Sequence, residues 1–84
     1  MKLKEALHLI SDGTRVRINT VYPQFTIAEG FLAQVEDLLN KNETGDEILE
    51  ARVNGLYATT DRVLNHQSLQ YEDVAVLVIF IDEG

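Results

Sequence analysis

The chain has 84 residues, enough for one domain and not two, with 45% hydrophobic and 25% charged residues, the balance of a folded globular protein rather than a disordered one. It contains no cysteine, which excludes disulfides and thiolate chemistry, so stability must come from packing or from association. The formal charge is −7, and a chain this acidic repels a phosphate backbone, so direct nucleic-acid binding is disfavoured.

The charge is unevenly placed. Residues 1–20 hold four basic and two acidic side chains, whereas residues 21–84 hold three basic and twelve acidic ones. Its simplest role is solubility. The opening residues carry Lys2 and Lys4 but no apolar run of signal length, and the longest apolar run, residues 74–81, is too short for a membrane span. The expectation is a cytoplasmic, single-domain protein over residues 1–84 that makes no use of a membrane.

Leu3, Leu7 and Ile10 recur at helical spacing, and Asp12-Gly13 ends that first helix. From Thr14 to Thr20, Val16 and Ile18 alternate with Arg15, Arg17 and Asn19, the pattern of a half-buried strand. Pro23 breaks it. Phe25 and Ile27 then alternate with polar neighbours, which predicts a hairpin turning near Tyr22-Pro23 with Phe25 in the core.

Phe31, Leu32, Val35, Leu38 and Leu39 form one face of a second helix, with Gly30 as a close-approach or capping position and a stop at residues 40–42. After a polar loop, Leu49, Ala51 and Val53 at spacing two predict a third strand over residues 47–58, with a bulge or an end at Gly55. Residues 59–72 read as an irregular connection with a turn of helix. A connection that long is uncommon in a compact domain unless functional.

Residues 74–81 are apolar on both parities, so the last strand should be central in its sheet, with cover on both faces. The elements predict an α+β fold in the order αββαββ, with two helices packed on one face of a four-stranded, mostly antiparallel sheet. Two helices shelter one face only. The other face of the last strand must be covered by the long connection or by another subunit, which makes Val74, Val76, Val78 and Phe80, together with the hairpin-tip Tyr22, the candidate interface of a homodimer or a contact with another protein. Which strand forms the sheet edge does not follow from the pattern.

Site chemistry is sparse. Asn40, Asn42, Thr44 and Gly45 match parts of a calcium loop, but position twelve is Ala51 and the first ligand is uncharged. His8 and Ser11 are three apart with no group to orient the imidazole and no oxyanion site. His66 is remote from His8, without zinc-ligand spacing. Adjacent acids such as Glu36-Asp37 point apart. Arg15 and Arg17 are expected to pair with carboxylates such as Glu50. No catalytic, metal or cofactor-binding residue is assigned.

The opening helix, the run Ser11-Asp12-Gly13-Thr14-Arg15-Val16-Arg17-Ile18, Gly30 before a second helix, and the closing Val76-Leu77-Val78-Ile79-Phe80-Ile81 extend over most of the chain. In this layout the chain resembles short uncharacterised proteins of Gram-positive bacteria and their phages. The resemblance implies an accessory product of a mobile element and no particular activity. The leading expectation is a non-catalytic protein-interaction module. An acidic nucleic-acid mimic that inhibits a DNA- or RNA-binding protein is the alternative, motivated by the acids after residue 20, and a small enzyme built around His66, Tyr57 or Arg62 is the third.

Overall fold

A computed structural model describes residues 1–21 and 24–82. The order is α1 (Leu3–His8), β1 (Arg15–Thr20), β2 (Thr26–Phe31), α2 (Leu32–Lys41), α3 (Gly45–Glu50), β3 (Val53–Asn65) and β4 (Gln70–Ile81). The α+β class holds, with a mixed four-stranded sheet in the order β2-β1-β4-β3. β1 pairs antiparallel with β2 and parallel with β4, and β3 pairs antiparallel with β4.

The apolar last strand is indeed interior to the sheet, flanked by β1 and β3. In the register of β1 and β4, Val16, Ile18 and Thr20 share a face with Leu77, Ile79 and Ile81. On that face Leu3 and Leu7 of α1 and Leu32, Val35 and Leu39 of α2 join Ile18 and Ile79 in one buried core. Each fully buried valine, leucine or isoleucine side chain contributes roughly 1.5–3 kcal/mol against solvent exposure, so the nine in this core dominate the stability of so short a chain.

Among the described residues there are three helices rather than two. Residues 45–50, expected in the third strand, are helical. The spacing of Leu49, Ala51 and Val53 suggested a strand, but Ile48 and Leu49 are adjacent residues that both pack against the core, which a helix permits and a strand does not. Asp46 and Glu47 lie in the first turn, where carboxylates oppose the helix dipole. Gly45 makes the tight passage from α2 possible: a Cβ there would lie 1.6 Å from the Leu39 carbonyl oxygen.

The junction of β2 and α2 also needs glycine. Gly30 has φ +145°, a conformation other residues resist. Phe31 closes the strand, and the Gln34 side chain accepts a hydrogen bond from the Phe31 N–H at 3.1 Å, capping α2. Phe31 is therefore not on the helix's apolar face; its ring lies under the Arg15 guanidinium, 4.9 Å from the centroid, on the far side of the sheet. Phe25, expected in the core, is 47% exposed. The β1–β2 register shifts between Ile18 and Asn19, and β2 begins only at Thr26, so the parity that would have turned Phe25 inward is broken.

The largest difference is at residues 59–72. They are not an irregular connection but the outer part of a long β3–β4 hairpin. β1 pairs with β4 only from Val76 onward, so residues 60–75 leave the four-stranded body as a two-stranded arm with a turn at residues 66–69. Six residue pairs at about 3.3 Å each give an arm of about 20 Å, and the longest dimension of the molecule is 42 Å.

Candidate interaction surface

Beyond Asp61, which reaches Arg17 of β1, the arm is built by cross-strand pairing. Its turn is organised by Asn65, whose side-chain oxygen accepts from the Gln67 N–H at 2.9 Å while its amide donates to Glu72 at 2.9 Å. The Leu69 N–H donates to the Asn65 carbonyl at 2.8 Å, and Leu69 takes a left-handed φ of 57°, unfavourable for a leucine. Across the arm Leu64 faces Tyr71 and Val63 faces Glu72. The helices do not reach this far, so the helix-side face of the hairpin runs bare from Leu56, 58% exposed, to Tyr71, 68% exposed. A two-stranded ribbon without a covered face is marginal in water.

The outer edge of β3 is also open. At its base, the Val53 N–H donates to the Met1 carbonyl and the Leu3 N–H to the Ala51 carbonyl, both at 2.8 Å, so the N-terminus closes the first residues of the edge. From Asn54 to Asn65, among the described residues, no neighbouring strand lies on that side. This stretch contains neither proline nor lysine, the residues that usually blunt an exposed edge.

The second sheet face is closed differently from either expectation. Val76 and Val78 are 4% and 0% exposed in the single chain. Arg17 stands opposite Glu29 on β2 and Val78 on β4, and its guanidinium hydrogen-bonds both Glu29, at 3.2 Å, and Asp61 of β3. To reach Asp61 the side chain must cross β4, so its methylene stem passes over the valines, and its Nη2 donates to both carboxylates. Tyr57 and Phe80 stack beside it, with centroids 5.6 Å apart. Hydrogen bonding to Glu29, with Asp61 adding to it, raises the Arg17 pKa further.

The expected interface residues are therefore scattered. Val76 and Val78 are buried under this layer, Val74 and Phe80 are half-buried beside it, and Tyr22 lies outside the described residues. The surfaces the fold leaves open are the arm and the β3 edge. Sequence reasoning missed it because the alternation of Val63 and Asn65 against Arg62 and Leu64 carries no clear apolar parity; the surviving signal was the β-branched and aromatic content of residues 56–64.

Glu50, once paired in expectation with the strand arginines, instead receives Lys2 at 2.6 Å and Lys4 at 2.5 Å. These hydrogen bonds hold its carboxyl down at about 2. The pairs pin α1 to the end of α3. An open groove of about 600 Å³ nearby is lined by Glu47, Ile48, Glu50, Ile81 and Asp82. His8 and His66 are exposed and far apart in the fold, and Arg62 sits 3.9 Å from the exposed Asp73 rather than in a pocket. The Asn42 side chain is taken up by hydrogen bonds from the Thr44 N–H and hydroxyl. Among the described residues no group of three or more histidines and carboxylates is placed to hold a metal, and no helix is long and apolar enough to cross a membrane.

Comparison with known proteins finds no matching family model, no matching curated protein and no matching solved structure.

Proposed function

We propose that the chain is a small non-catalytic interaction module that self-associates through its β3–β4 arm, acting as a cytoplasmic accessory protein of the phage-related kind its layout resembles. The observation that carries this reading is the arm itself. A domain of 84 residues spends residues 60–75 on a ribbon that adds nothing to the core and leaves Leu64 and Tyr71 in water. Ordering each residue costs about 1–2 kcal/mol of backbone entropy, and a further strand or a covered face is what such a ribbon lacks.

The ion pairs favour this reading over an acidic nucleic-acid mimic. Glu29, Asp37, Glu50, Asp61 and Asp73 each sit within 4 Å of a basic group, so these acids do not form an unbroken negative row. Replacing Leu64 and Tyr71, which face each other on the arm, by glutamate tests the reading. The expected result is a wild-type dimer in sedimentation velocity at micromolar concentration and a folded monomer for L64E/Y71E. A wild-type chain that stays monomeric at every concentration refutes self-association.

A further inference from the structure

We infer that two copies join edge to edge through β3, about a two-fold axis passing beside Thr60, to make one continuous eight-stranded sheet. This deepens the reading of the chain as a self-associating module and rests on it.

The first argument is area. The chain exposes 5,808 Å², against about 5,000 Å² expected for a compact monomer of its mass. The excess of roughly 800 Å² is one partner's share of a standard protein–protein interface. The molecule is elongated, 42 Å in its longest dimension, and the arm's β3 side is an open edge.

The second argument selects the occupant. Antiparallel pairing of a strand with its own copy requires a two-fold axis normal to the sheet. Such an axis keeps every side chain on its own face, so it must pass between a residue and the same residue of the second copy. Only a few residues can hold that place. With Asp61 at the axis, like carboxylates meet; with Arg62, like guanidinium groups meet, and directly opposed like charges destabilise a sheet. With Thr59, Arg62 lies against Leu56 and Asp61 against Tyr57.

With Thr60 at the axis every pair is compatible. Thr60 meets Thr60 of the second copy, Leu56 meets its Leu64, Tyr57 meets its Val63, and Asp61 and Arg62 fall opposite Thr59 and Ala58. The run from Leu56 to Leu64 is apolar at both ends and polar between them, so it is complementary to itself in this register. Each matched cross-strand pair stabilises a sheet by about 0.2–1 kcal/mol, and the symmetric arrangement closes at two copies rather than growing into a filament. Asp61 and Arg62 cancel along this stretch, so the repulsion between two chains of charge −7 comes from elsewhere on the surface. Added salt screens it and should tighten the dimer.

The absence of cysteine makes the register directly readable. Opposed Cβ atoms in an antiparallel pair lie about 4.5–5.5 Å apart, close to the span of a disulfide at about 3.5–4.5 Å. Thr60 is exposed, so T60C should fold normally, as circular dichroism will report. Under mild oxidation T60C should give a covalent dimer at least tenfold faster than A58C or R62C, whereas the double variant A58C/R62C should cross-link readily because those positions face each other. If the wild type sediments as a dimer but A58C or R62C alone outpaces T60C, or no variant cross-links, this register is overturned and the module reading survives. A wild-type monomer at all concentrations overturns both.

Discussion

Removing Arg17 tests how the second sheet face is sealed. The side chain does two separable things: its guanidinium joins Glu29 to Asp61, and its stem lies over Val76 and Val78. Arg17→Met removes the charge and keeps an unbranched stem. Its two carboxylate partners are about half and one-third exposed, so water takes over much of their solvation, and the expected loss is about 1 kcal/mol. Arg17→Ala also uncovers the valines. Re-exposing on the order of 50 Å² of apolar surface adds about 1–1.5 kcal/mol, for a total of about 2–2.5 kcal/mol. In urea titrations the alanine variant should therefore unfold at clearly lower denaturant than the methionine variant, with an unchanged slope. In thermal unfolding the gap should be about 4–8 °C per kcal/mol for a domain of this size. Equal midpoints for the two variants would refute the covering role of the stem, and two variants indistinguishable from wild type would refute the clamp altogether.

Gly45→Ala should be among the most damaging single-methyl additions, since backbone and not a flexible side chain occupies the space; a loss of about 2–3 kcal/mol is expected, and an unchanged melting temperature would contradict the close approach of α2 and α3. The acid limb of stability should carry the signature of Glu50. Its carboxyl is held at about 2 in the folded chain against an ordinary value of 4.5, so its contribution is complete above pH 4.5 and is lost as pH falls from there through 2. Glu50→Gln should flatten the dependence of stability on pH in that window, and an unaltered acid limb would show that Lys2 and Lys4 do not act through it.

Much of the fold was written in local patterns. The alternation of Val16 and Ile18 against Arg15 and Arg17 is the observed division of β1 between the core and the opposite face. Leu32, Val35 and Leu39 face the core as their helical spacing requires, whereas Leu38, expected on that face, lies at its margin and is 50% exposed; eight consecutive apolar residues did mark the interior strand. Periodicity is reliable where one face is buried, because burial imprints it on the sequence. It misled at residues 45–50, where a six-residue segment offers too few positions to separate a period of 2 from one of 3.6. It was silent at residues 59–72, where neither face of the hairpin meets the core and nothing selects an apolar parity.

Tertiary structure alone decided three things: that β4 runs parallel to β1, that β3 forms the far edge, and that Arg17 reaches across β4 to a residue 44 positions away. The shelter for the second face of β4 then comes from a neighbouring strand's long side chain, and the uncovered surface moves from the valines to the arm. Local sequence determines which side of an element avoids water. Which other element supplies the cover depends on strand order, and strand order is settled by contacts between residues far apart in the chain.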